Sequence, residues 1–255
     1  MIIIFRQNKI YKIKNKNIIM KQIEKIELLK DLGNYPLFTF NDFVRIMGVS
    51  IEYARTMLYR MKKEGLVFYI ERGKYTIHDD PLIFASYISV PSYISFWTAL
   101  RFYNLTEQLP IEIMLAVPEY RKPIKFMDIP ITFTKISEFW GYKKVRYGKF
   151  DIFMAEKEKC IIDSLLVKKI PLDEIFNILQ TGELNNKRLI EFAMKTKNKS
   201  VMKRLGYMIE SCGVDASRLQ EKINSDRNYI LLDWNFPKKG KRNTKWKLII
   251  NRVLK

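Results

Sequence analysis

The chain has 255 residues, 47% hydrophobic and 29% charged, which suits a globular protein of one large or two ordinary domains. No apolar run approaches the ~20 residues of a membrane helix, and Ile2-Ile3-Ile4-Phe5 is shorter than the ~7–15-residue core of a secretory leader, so a cytoplasmic protein with no membrane partner is expected. A formal charge of +19 points to a polyanionic partner, while a single histidine, His78, and two cysteines, Cys160 and Cys212, are too few for an ordinary zinc site.

The charge is uneven. Residues 1–19 hold five basic and no acidic side chains, residues 234–255 hold eight and none, and residues 20–90 are near neutral with ten against nine. Residues 1–19 alternate isoleucine with lysine and lack caps or turn residues. They read as a poorly structured basic extension, with translation starting at Met1 or at Met20. Lys21 to Leu32 has amphipathic helical spacing, with Ile23, Ile26 and Leu28 or Leu29 inward and Gly33-Asn34 closing it.

Thr39 suits the N-cap of a helix through Met47, with Asp42 as capping-box acid and Gly48 as the stop. Val49 is expected as a buried plug in the turn, and Ser50 caps a longer helix through Glu64. On it Ala54, Met57, Leu58 and Met61 recur at spacings of three and four, one apolar stripe. The opposite face carries Glu52, Thr56, Tyr59 and Lys63, flanked by Tyr53, Arg55 and Arg60. Gly65 ends the helix. Leu66–Glu71 and Lys74–Ile77 then read as strands joined at Arg72-Gly73 in a tight hairpin.

Residues 20–80 thus read as a winged helix-turn-helix, whose second helix lies in the major groove of duplex DNA. Arg55, Thr56 and Tyr59, with Glu52, would face base edges, Arg60, Lys63, Arg72 and Lys74 would hold phosphates, and Tyr53 is a further DNA-contact candidate on the flank. At the hairpin tip Arg72, Lys74 and Tyr75 suit phosphate or minor-groove contact. Helix pairs of this kind also serve as plain packing units, and some winged folds bind only protein. The attached hairpin and the basic, aromatic outer face favour DNA.

His78–Val90 reads as a connector with a short apolar helix. Pro91-Ser92 is expected to start a helix through Tyr103, with Ile94, Trp97, Leu100 and Phe96 buried and Asn104 at its end. The period then changes to two. Glu112–Val117, Ile129–Ile136 and Phe150–Ala155 read as strands, with Pro118, Pro123 and Pro130 as punctuation. Helices are expected over Glu156–Lys168, Leu172–Gln180, Asn185–Thr196 and Val201–Cys212. Closing strands are expected over Tyr229–Trp234 and Trp246–Asn251, around a turn at Pro237–Asn243. Residues 85–255 form a mixed α/β second domain in this reading, and the chain as a whole is α+β.

Several blocks occur in a familiar order. After the helix-turn-helix come Tyr93-Ile94-Ser95-Phe96-Trp97-Thr98-Ala99-Leu100 and Leu105-Thr106-Glu107-Gln108-Leu109-Pro110. Ala155-Glu156-Lys157-Glu158-Lys159-Cys160-Ile161-Ile162-Asp163-Ser164-Leu165 follows, then Arg204-Leu205-Gly206-Tyr207-Met208-Ile209-Glu210 and Trp246-Lys247-Leu248-Ile249-Ile250-Asn251. Together they resemble the AbiEi family of type IV antitoxins, the transcriptional-regulator half of abortive-infection pairs that defend against phage. The resemblance spans the chain from Met20. It departs at Lys159-Cys160, where the family commonly has Arg-Thr. It implies a winged helix that binds operator DNA and represses its own operon. It also implies a C-terminal antitoxin domain countering a nucleotidyltransferase-like toxin, generally without a stable complex.

Catalysis finds little support in the residues. Asp151, Glu156, Glu158 and Asp163 lie close in sequence, but the acid-x-lysine spacing of a common nuclease fold fails here, and Glu156 and Glu158 suit the first turn of a helix. The chain contains no Gly-Ser dipeptide, so it is not the nucleotidyltransferase, and it has no phosphate-binding glycine loop. His78 reads as a surface residue. Cys160 and Cys212 read as core thiols, the aromatic series Tyr93, Phe96, Trp97, Phe102 and Tyr103 as core, and Asp163 as a buried acceptor for a backbone group or for Arg204. The expectation is a non-enzymatic DNA-binding repressor and antitoxin without cofactor. Alternatives are a stand-alone regulator, or an interaction protein that sequesters a toxin.

Overall fold

The computed structural model describes residues 24–254. The basic extension over residues 1–19 and the expected inward Ile23 lie outside the described residues. The chain is mixed α+β and divides between Ile88 and Ser89 into two compact units.

The first described element of the first unit is helix α1, described over residues 24–32. Strand β1 (Phe38–Thr39) leads directly into α2 (Phe40–Met47), because Thr39 both pairs with Lys74 and caps the helix. Asp42 N–H donates to Thr39 Oγ1 at 3.2 Å, and Thr39 N–H donates back to Asp42 Oδ2 at 3.0 Å, the reciprocal box the spacing predicts. Burial is outweighed there: the Thr39 backbone N–H, and then its hydroxyl, hold the Asp42 carboxyl below its ordinary range. Gly48, at φ 62°, ends α2 in the left-handed region. Ser50 then caps α3 (Ile51–Lys63) by accepting from Tyr53 N–H at 3.3 Å.

Strands β2 (Phe68–Glu71) and β3 (Lys74–Thr76) form a hairpin across Arg72-Gly73, with a bulge between Tyr69 and Glu71, and β1 completes a sheet of order β1-β3-β2. Leu32, Phe38, Phe43, Ala54, Leu58, Met61 and Val67 make the core, with Val49 half-buried against it. Ile26, expected inward, is 53% exposed; Leu32, two turns on, is the residue of α1 that is sealed. The expected connector is structured: a 3-10 turn at Pro81–Ile83, capped by Asp80, leads into α4 (Ala85–Ile88).

The second unit corrects the expected helix from Pro91. Tyr93–Ile94 is strand β4, and α5 (Phe96–Phe102) starts only after Ser95. Ile94 pairs with Leu115 on one side and Met154 on the other, so it sits at the centre of a sheet. A strand buried on both faces and followed at once by a helix mimics helical spacing.

Strand β5 (Ile113–Val117) is likewise buried at all five positions rather than alternating. Strands β6 (Ile124–Phe126), β7 (Ile129–Lys135), β8 (Tyr142–Tyr147) and β9 (Phe150–Ala155) complete a sheet of order β6-β7-β5-β4-β9-β8. Pro130 lies inside β7, within the expected strand, opposite Lys125 and next to where pairing with β5 begins at Ile131.

Helices α6 (Lys157–Val167), α7 (Leu172–Gln180), α8 (Asn186–Lys195) and α9 (Lys199–Ser211) follow the expected order, and α10 (Ser217–Ile223) is added. Helix α6 is buried all round from Glu158 to Leu165. Gly206 lets α9 receive Trp246: a Cβ there would lie 2.0 Å from the indole. At the end, β10 (Ile230–Leu231) and β12 (Leu248–Ile250) run parallel, and β11 (Lys241–Asn243) pairs antiparallel to β12 within the stretch expected as a turn.

Candidate nucleic-acid interface

Helix α3 sorts its side chains by angle. Ala54, Leu58 and Met61 are buried and Met57 is half-buried, which seals one stripe. Glu52, Thr56, Tyr59 and Lys63 form the opposite ridge, all exposed, with Tyr59 at 67%. Thr56 Oγ1 donates to the Glu52 carbonyl at 3.1 Å, so its hydroxyl is turned onto its own helix and its methyl is the outward group.

The two flanks of the ridge differ. Arg55 and Tyr59 face the hairpin, where with Phe40, Leu58, Lys62 and Tyr75 they line a groove of about 250 Å³. Tyr53 and Arg60 lie on the other side. They line a larger groove of about 910 Å³ toward α1, with Met57 and Val49 and the carboxylates of Glu27 and Asp31. The ten expected contact residues therefore do not form one patch. The structure brings Arg55, Tyr59 and Tyr75 together and sets Tyr53 and Arg60 apart from them.

The hairpin-side groove is cationic and aromatic. The Arg55 guanidinium lies 5.9 Å from the Phe40 ring centroid, and Lys62 Nζ lies 5.0 Å from that of Tyr69 and 5.9 Å from that of Tyr75. Tyr69 and Tyr75 meet edge to face at 5.9 Å. Lys62 and Phe40 were not among the expected contacts. Stepping three and four along α3 from Arg55 gives Leu58, Tyr59 and Lys62, so a search for residues that share a flank with Arg55 would have found Lys62.

Arg72 is exposed at the tip, where Gly73 at φ 78° makes the turn. Lys74, expected beside it as a phosphate contact, is half-buried: its ammonium pairs with Glu71 at 3.0 Å and also donates to the Ile88 carbonyl. Tyr75 is a groove wall, stacked at 6.1 Å on Phe38.

The acids of the second unit scatter. Asp151 is exposed and pairs with Arg146 at 3.4 Å, Glu156 pairs with Arg188, and buried Glu158 accepts from Asn185 N–H at 2.8 Å. Among the described residues no group of three His, Cys, Asp or Glu is placed to hold a metal ion.

Asp163 is fully buried and accepts from Lys159 Nζ at 2.5 Å, Ser95 Oγ at 2.8 Å and Tyr93 OH at 3.1 Å. Arg204 is not its partner; that guanidinium binds the Leu231 and Leu232 carbonyls, and burial lowers it to about 10 against the opposing pull of Asp233. Burial raises the Asp163 carboxyl despite the Lys159 ammonium, and raises the Tyr93 phenol, with the Asp163 charge adding to it. Sequence reasoning missed this closed node because its members come from β4, the α5 cap position and α6.

His78 is half-buried, with Nε2 3.0 Å from the Tyr35 carbonyl. Both cysteines are free thiols, Cys160 buried and Cys212 half-buried. No helix among the described residues is long and apolar enough to cross a membrane. The chain matches no protein-family model, and no curated protein matches it.

Proposed function

We propose that the first unit is a winged helix-turn-helix that binds duplex DNA, and that the protein is a non-enzymatic repressor and antitoxin of the AbiEi type. In this reading α3 enters the major groove and the β2–β3 hairpin is the wing. The observation that carries it is the exposed α3 ridge beside a groove lined by Arg55, Tyr59, Lys62 and Tyr75.

Arg55, with Tyr59, Thr56 and Glu52, would meet base edges, the arginine by a bidentate contact to guanine, and Arg60, Lys63 and Arg72 would hold phosphates. Counterion release from these contacts would supply most of the affinity, helped by the basic residues 234–255. The block resemblance from Met20 onward supports the antitoxin half, in which the second unit counters a nucleotidyltransferase-like toxin.

Fluorescence anisotropy tests the DNA half. The protein should bind duplexes from upstream of its own reading frame more tightly than shuffled duplexes of equal length; equal affinity would refute a sequence-reading repressor. Coexpression with the product of the adjacent reading frame tests the antitoxin half. Rescue of growth supports it, and unrelieved toxicity counts against it.

A further inference from the structure

Two lysines flank the hairpin, and their surroundings differ in kind. Lys74 is neutralised within the unit by Glu71 and capped by the Ile88 carbonyl. Lys62 makes no ion pair with a carboxylate among the described residues. It is held instead by the faces of Tyr69 and Tyr75, at 5.0 and 5.9 Å. Aromatic faces orient an ammonium without cancelling its charge. Lys62 also lines the groove that Arg55 and Tyr59 enter from the same flank of α3.

We infer that Lys62, rather than Lys74, is the hairpin-side phosphate anchor of the DNA interface, with Tyr69 and Tyr75 as its positioning residues. This rests on the DNA-binding reading above. A backbone phosphate at the groove mouth would accept from the Lys62 ammonium while α3 lies in the adjacent major groove. The tyrosine pair sets the angle of approach. Lys74 instead braces the hairpin against α4.

The test uses the full chain and a fluorescein-labelled random-sequence duplex of about thirty base pairs, titrated across a range of potassium chloride concentrations. Each phosphate contact contributes about 0.9 to the slope of log affinity against log salt. Lys62→Met should flatten that slope by about one unit and weaken binding roughly five- to tenfold at 0.1 M salt. Lys62→Arg should restore both, since a guanidinium also stacks on tyrosine and binds phosphate. Lys74→Met should leave the slope unchanged. Tyr69→Ala, which keeps the charge and loses its support, should weaken binding while the slope stays closer to wild type.

A wild-type slope in Lys62→Met, or loss of a unit in Lys74→Met, overturns the assignment even where DNA binding itself stands. Wild-type protein that binds no duplex at any salt overturns the DNA reading and the assignment together. Circular dichroism checks that each variant is folded. Lys62 is exposed, so its replacement should not unfold the unit.

Discussion

In α3 the charged residues Glu52, Arg55, Arg60, Lys62 and Lys63 all stand in solvent, and only Ala54, Leu58 and Met61 are fully sealed. In α6 every residue from Glu158 to Leu165 is buried, Lys159 and Asp163 included. The same residue types therefore serve opposite ends. A charge on α3 stays hydrated, and on the proposed reading its removal would alter binding. In α6 Lys159 and Asp163 are each tied to three groups of the fold, and their removal should alter stability.

The largest expected effect breaks the α6 side of this contrast. Asp163→Ala leaves the Lys159 ammonium buried against the Glu138 carbonyl and the Trp140 ring without its counter-ion. The cost should be about 3–5 kcal/mol in denaturant unfolding. Lys159→Met combined with Asp163→Leu should recover much of it, because a buried pair replaced by apolar groups is often close to neutral. Wild-type unfolding of Asp163→Ala would show that the node is not structural.

Gly206→Ala probes sealing without charge. Its methyl must displace the Trp246 ring, whose Nε1–H donates to Glu210 at 2.7 Å. The loss should be about 1–3 kcal/mol or more, read from the same unfolding curves. An unchanged midpoint would mean that the indole has room to move.

In the unit that carries α3 the effects should be smaller and should fall on the α2 cap. Thr39→Ala removes the α2 box and should cost about 1 kcal/mol. Because the Asp42 carboxyl is held below its ordinary 3.8, its contribution is present above that pH and is lost as pH falls through the folded value. Asp42→Asn should therefore show a weaker loss of stability on acidification below about pH 4 than wild type does, measured by chemical unfolding at stepped pH. An identical acid slope in both proteins would rule out the linkage.

The contrast also marks what could be read from the residues. Thr39, Asp42, Gly48 and Ser50 announce their roles through backbone chemistry within three residues, so the helix pair and the Arg72-Gly73 turn were legible. Leu172–Gln180 and Phe150–Ala155 were equally plain, each with one clear periodicity.

Strand β4 was not legible: its two residues owe their extended form to partners Leu115, Ala116 and Met154, far off in sequence. Neither was the depth of α6: Asp163 reads as a buried acceptor, but its partners Tyr93 and Ser95 lie in other elements, and Glu158 and Lys159 look like a solvent face until theirs are known. At the candidate interface the outer ridge was visible by spacing. The split into two flanks depends on where the hairpin and α1 sit, and this separates Lys62 from Lys63 and Arg55 from Arg60.

The central claim is that the outer side of α3 reads base sequence. Its most direct measurement is the ratio of affinities for an upstream duplex and a shuffled duplex, in wild type and in Arg55→Ala at one salt concentration. The account predicts that the ratio falls by about 1–3 kcal/mol of discrimination in the variant while affinity for the shuffled duplex changes little. An unchanged ratio with both affinities lowered equally would contradict it and reduce Arg55 to a phosphate contact.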